Sequence, residues 1–170
     1  MTQEEISFNE TQVYFGVDAR KKLYAGIKIA ADAVGATMGP RGRTVLIQKK
    51  GGAPILTKDG VTVSRSIKPV DPVEKMGAEL VLEAASQTNE IAGDGTTTST
   101  VLTYSLVTEG MKLLEAGYSP KKLVEGIELG TSQVITSLLE MSKRIETREQ
   151  IEHVGIISAN GDFSVGKIDR

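Results

Sequence analysis

Apolar residues recur at helical spacing along most of this chain, and most such runs stop at glycine or proline. Leu23, Ile27, Ala30, Val34 and Met38 follow one another at steps of three or four, the stripe of an amphipathic helix. Asp18 near its start suits the positive end of the helix dipole, and Gly39-Pro40 stops it. Asp71-Pro72-Val73-Glu74 combines an N-cap, a proline at the first helical position and a glutamate three residues after the cap. The helix it opens is striped by Val73, Met76, Leu80, Val81, Ala84 and Ile91 and runs to about Ala92. Further helices are expected from Val101 to Leu114, closing at Gly117, and from Ser119-Pro120 through Leu123, Ile127, Val134, Leu138 and Met141. Thr147-x-x-Gln150 is the capping box of a last short one.

Only a small part of the chain reads as strand. Thr44–Gln48 and Ile55–Thr57 are short and rich in β-branched residues, and Gly51-Gly52-Ala53-Pro54 between them is a turn. Gln12–Phe15 fits an edge strand or an arm reaching a partner, and Val61–Val63 suits either an extended segment or a helical turn. The fold class is therefore mainly α with a small β element. Lys143–Glu146 marks a linker, which divides the chain into 1–141 and 142–170.

Composition removes several functions. The 170 residues hold no Cys and no Trp, with four Tyr and three Phe, so the core must be aliphatic. Disulfide frameworks, thiolate catalysis and cysteine metal sites are excluded. His153 alone cannot build a histidine zinc site, and it reads as a helix-surface residue. Twenty basic against twenty-two acidic residues, a formal charge of −2, argue against nucleic acid as a partner. No run approaches the ~20 apolar residues of a membrane span, and the acidic start is unlike a secretory signal. The expected compartment is a reducing cytoplasm. Lys21-Lys22 and Lys121-Lys122 read as solvated helix faces.

Three loops carry chemical promise. In Gly93-Asp94-Gly95-Thr96-Thr97-Thr98-Ser99-Thr100, two glycines allow close backbone approach and five hydroxyls follow. The helix behind them offers free N–H groups to phosphate, and Asp94 supplies the carboxylate that an intervening Mg2+ requires. A plain glycine turn before a Thr-rich helix start would look the same. Thr37-Met38-Gly39-Pro40-Arg41-Gly42-Arg43 fits a helix stop, a phosphate-facing loop, or the GxxG clamp of an RNA-binding module. That clamp joins two helices, whereas Thr44–Ile47 predicts a strand. Thr57-Lys58-Asp59-Gly60 is a tight-turn sequence, yet Asp59-Gly60 and Asp94-Gly95 together supply two carboxylates that could serve one metal–triphosphate.

Taken in order, these segments resemble a known family. Phe15–Arg20, Thr37–Arg43, Thr57–Val63, Gly93–Thr98, Ile157–Asn160 and Val165–Lys167 are closely similar to the start of a group I chaperonin, the GroEL type. The likeness runs from about residue 13 to 168. It implies an ATP-dependent protein-folding machine of stacked homo-oligomeric rings, with equatorial, intermediate and apical domains. Residues 1–141 would be the N-terminal half of the multihelical equatorial domain and 142–170 the beginning of the intermediate one. By position, Thr37, Met38, Gly39 and Pro40 would line the nucleotide. Lys58 would lie beside the phosphates and a K+ site. Asp94 would bind Mg2+, Gly95, Thr96, Thr97 and Thr98 would cradle the phosphates, and Asp59 would be the catalytic residue that positions the attacking water.

The family's subunit is much longer than this chain. The apical domain, the returning intermediate segment with the main catalytic aspartate, and the C-terminal equatorial half are expected to lie outside it. Unfolded clients and a lid co-chaperonin would be met through those parts. Hydrolysis is then expected only where they are supplied. An aliphatic stripe left uncovered would forfeit ~25 cal/mol per Å² of apolar surface, so the chain alone is expected to be loosely packed and to bind nucleotide weakly. A scaffold of the same fold without turnover is the alternative from another functional class.

Overall fold

A computed structural model describes residues 13–49, 51–159 and 161–166. The elements run α1 (Gly16–Gly35), β1 (Val45–Ile47), β2 (Ile55–Thr57), α2 (Gly60–Ser66), α3 (Pro72–Ala92), α4 (Thr96–Glu115), α5 (Pro120–Met141), α6 (Arg148–Ser158) and α7 (Phe163–Gly166). The fold is mainly helical with one small antiparallel β element, as the periodicity predicts. Val13–Phe15 are irregular, and the rest of the expected N-terminal arm, like Asn160 and Lys167, lies outside the described residues. The chain divides into two compact units between Glu109 and Gly110.

In the first unit the α1 stripe holds for Ile27, Ala30 and Val34, which are buried, but Met38 falls off its end and is exposed. The helix tightens first. Thr37 and Met38 N–H donate to Val34 and Gly35 O at 3.0 and 3.1 Å, three residues back rather than four. The chain then folds onto itself, with Gly42 N–H on Gly39 O at 2.9 Å and Arg43 N–H on Ala36 O at 2.8 Å. Gly42 is required here, since a Cβ would lie 2.1 Å from Thr37 O.

β1 and β2 pair antiparallel, with Val45 opposite Thr57, Leu46 opposite Leu56 and Ile47 opposite Ile55. Val61–Val63, which periodicity left undecided, are helical. Asp59 decides it by capping α2, its side chain accepting from Val61 and Thr62 N–H. The tight-turn sequence at Asp59-Gly60 is therefore a strand-to-helix cap.

α3 starts as predicted, with Asp71 Oδ1 accepting from Val73 N–H at 2.8 Å and Glu74 N–H at 3.2 Å. Its buried face differs from the predicted stripe. Val73 and Val81 are inside, but Met76, Leu80 and Ile91 are exposed, and Gly77, Ala78 and Ala85 take the core positions. The cause is the crossing of α1 and α3, where backbone meets backbone. A Cβ on Gly26 would lie 1.8 Å from Glu74 O, and one on Gly77 2.1 Å from Leu23 O. At that separation only the smallest residues fit between the helices, so the larger side chains turn outward. The core cluster of Ile27, Ala30, Ala78 and Val81 is covered by Ile67, Tyr104 and Val107. It is aliphatic, as the composition requires.

Lys22 is not simply solvated: it pairs with Asp71 at 2.5 Å and ties the start of α3 to α1. The hydrogen bond to Asp71 raises the Lys22 pKa and lowers that of Asp71. Tyr24 and Tyr104 stack at 5.9 Å between ring centroids, and the Tyr24 hydroxyl lies 3.1 Å from that of Thr108. In the second unit α6 carries the predicted capping box, His153 is exposed on it, and no residue of α5 is buried. Among the described residues no helix is long and apolar enough to cross a membrane.

Candidate functional site in the first unit

The three loops singled out by sequence sit at the end of α1, the start of α2 and the start of α4. Their supporting elements meet. Gly60 is buried, and a Cβ on it would lie 2.3 Å from Thr97 Oγ1 and 3.1 Å from Val34 Cγ1. The Asp59-Gly60 cap is thus seated between the hydroxyl segment of α4 and the last turn of α1. A Cβ on Gly35 would touch Val101 at 3.6 Å, so α4 also lies along the end of α1. Glycine at 60 is what brings the two Asp-Gly loops this close. Sequence reading counted both loops but not this contact. The glycine directly after Asp59 was the available clue, but nothing in the sequence names Thr97 as its neighbour.

At the start of α4 the backbone turns through Gly93, at φ 71°, and Gly95, at φ 89°, a region that disfavours any side chain. The first helical bond runs from Ser99 N–H to Gly95 O at 2.9 Å, so the N–H groups of Thr96, Thr97 and Thr98 precede the intrahelical ladder. Asp94 is exposed, and its Oδ1 accepts from Gly95 N–H at 2.6 Å. Among the described residues no three His, Cys, Asp or Glu side chains gather as a metal cage. Mg2+ on a polyphosphate needs only one or two carboxylates with phosphate oxygens and water, so the donor set at Asp94 fits that ion.

An open hollow of about 460 Å³ flanks this helix start, lined by Thr88, Gly95, Thr98, Ser99, Leu102 and Leu106 among others. It includes two of the predicted phosphate-loop residues, but neither Asp59 nor the Thr37–Pro40 corner. Ser99 belongs to the hydroxyl run noted in the sequence, whereas Leu102 and Leu106 were not singled out there. Their spacing behind Gly95 along one face of α4 was the available clue.

The other predicted residues are more peripheral. Thr37 Oγ1 donates back to Val34 O at 2.7 Å and closes the end of α1. Met38, Gly39 and Pro40 are exposed, with Gly39 at φ 73°. This corner leads from a helix into a strand, unlike a clamp joining two helices. Lys58 is exposed on the link into α2. Both Asp59 oxygens are engaged: Oδ1 by Val61 N–H at 3.3 Å, Oδ2 by Thr62 N–H at 2.9 Å and Thr62 Oγ1 at 2.5 Å. Partial burial works to raise the Asp59 pKa, but those hydrogen bonds, Thr62 foremost, and nearby Arg65 outweigh it and hold the carboxyl below its usual range.

Residues 30–170, from the last turns of α1 onward, match the model of a known family, the TCP-1/cpn60 chaperonin family. The chain belongs to the TCP-1/cpn60 chaperonin family. Among solved structures this chaperonin chain is similar to the chaperonin gp146 from the bacteriophage EL 2 (Pseudomonas aeruginosa), determined in the presence of ATP-BeFx in two crystal forms. The two matches have 32% and 31% identity and a TM-score of 0.71, over 90% of this chain. The chain spans 27% of the length of those relatives, and its fold is that of the N-terminal, equatorial region of a group I chaperonin.

Proposed function

We propose that this chaperonin segment binds ATP with Mg2+ as the nucleotide-holding part of a ring-forming protein-folding machine in the cytoplasm. Residues up to 141 belong to the equatorial domain, and 142–170 lead into the intermediate one. The reading rests foremost on one observation, the seating of Gly60 against Thr97, which draws both Asp-Gly loops to the end of α1. The bound nucleotide would supply the phosphoryl group for transfer to water.

The chain's own residues have distinct tasks. Thr96, Thr97 and Thr98 present N–H groups and hydroxyls at the positive end of α4, where anionic oxygens are favoured. Asp94 holds Mg2+. Thr37, Met38, Gly39 and Pro40 border the nucleotide, and Lys58 places a cation beside the phosphates and a K+ site. Asp59, held ionised by its hydrogen bonds, is a weak base and would orient water rather than take its proton. Ring partners, unfolded clients and a lid co-chaperonin belong to the longer subunit.

Calorimetric titration tests the reading. ATP is expected to bind only with Mg2+, and Asp94→Ala to weaken it about tenfold or more, as for a lost charge-assisted contact. Gly60→Ala, which must displace Thr97, is expected to weaken it too. Binding indifferent to Mg2+ and to both substitutions would refute the assignment. A scaffold without turnover draws support from the full engagement of Asp59 in its helix cap. Its mark would be tight Mg-ATP binding without phosphate release when the remaining segments are supplied in trans.

A further inference from the structure

Between α2 and α3, away from the α4 loop, lies a second hollow of about 240 Å³. Its most buried lining residues are Ser64, 5% exposed, and Ala78, 6% exposed. Exposed Arg65, Lys68, Lys75 and Glu79 stand around it. The Ser64 hydroxyl is the anomaly. Its Oγ is buried and, among the described residues, has no hydrogen-bond partner, although a helical serine normally bonds a carbonyl one turn back, as Ser66 does to Thr62. A buried hydroxyl left unpaired is destabilising, and such a group points to an occupant absent from the protein itself.

We propose that this hollow is a binding site for a small phosphate-type oxyanion, held by Arg65, Lys68 and Lys75 with Ser64 as a hydroxyl donor. Three cations against Glu79 leave two net positive charges. The carbonyl end of α2 counts at most about half a negative charge, which the cations outweigh. Lys75 also reaches Glu79, at 3.7 Å, but both side chains are more than half exposed, so the pair is readily exchanged for a stronger acceptor. Arg65 offers the planar fork that suits an oxyanion, and Ser64, which lines the hollow, brings an uncommitted hydroxyl donor. The volume falls below the roughly 300–1,000 Å³ of drug-sized ligand pockets, which selects a free ion over a nucleotide. The proposal is independent of ATP binding at α4.

Inorganic phosphate titrated into the 170-residue chain, against chloride at equal ionic strength, is followed by amide chemical shifts. Saturable shifts are expected across residues 64–79 and are expected to persist in Asp94→Ala. Arg65→Gln, Lys68→Gln and Ser64→Ala should each weaken the effect about fivefold, the worth of one hydrogen bond or partly screened charge. Ser64→Ala carries a second readout. Without phosphate it should unfold at a higher temperature than the wild type, because an unpaired buried hydroxyl is gone, and phosphate should narrow that gap. Shifts confined to residues 93–99, equal effects of chloride, or a Ser64→Ala variant that is less stable without phosphate would overturn the proposal. The last result would mean that a structural water occupies the hydroxyl.

Discussion

At the scale of single residues, Asp59 combines two roles whose separation can be measured. Its carboxylate closes the start of α2, and its folded pKa lies below the ordinary value. A lowered pKa means that the stabilisation is fully present above the unfolded value, about 3.9, and is lost as pH falls through the folded one. Asp59→Ala is expected to cost about 1 kcal/mol at neutral pH, the usual loss of a helix cap. In urea unfolding that difference should shrink steadily below about pH 4. Asp59→Asn still caps and should lose less. A gap between wild type and Asp59→Ala that persists undiminished in acid would show that the carboxylate is not what holds the cap. Asp94 is exposed beside the start of α4, and Asp94→Ala is expected to weaken ligand binding, read by the same calorimetric titration.

At the scale of elements, the α1–α3 crossing decides which residues form the core. Alanine is normally better than glycine inside a helix by about 1 kcal/mol. Here the sign should reverse. Gly26→Ala and Gly77→Ala each drive a Cβ into backbone, at 1.8 and 2.1 Å, and no side-chain rotation relieves it. Each is expected to destabilise by about 2 kcal/mol or more, by forcing the helices apart. Gly126→Ala in α5 is the control, since a Cβ there meets nothing within 4 Å and should be neutral or stabilising. Urea midpoints of the three variants check this. Equal effects at all three positions would remove the crossing as the determinant of the core.

At the scale of the whole molecule, the two units differ in how they are held. The first has a buried core, whereas α5, 22 residues long, buries none of its side chains. Val124, Val134, Leu138 and Leu139 are each more than half exposed on it. Most helical stability in proteins comes from packing of an apolar face, and α5 has no buried residue. Hydrogen exchange on the 170-residue chain should therefore find α5 amides on the order of a hundredfold less protected than those at the centres of α1 and α3. Equal protection would mean that something covers the α5 face in solution.

The sequence by itself determined the order of the long helices and the two short strands, the caps at Asp71 and Thr147, the aliphatic character of the core and the three glycine-bearing loops. These are local matters, governed by periodicity, by capping chemistry and by the conformational limits of glycine and proline. The choice of buried face on α3, the helical state of Val61–Val63, the pairing of Lys22 and the seating of Gly60 on Thr97 were decided only in three dimensions. Each depends on how closely two segments distant in the chain approach, and separation between backbones leaves no periodic trace in a single sequence. Gly26 and Gly77 carried that information, but one glycine in a helix does not say which partner comes near.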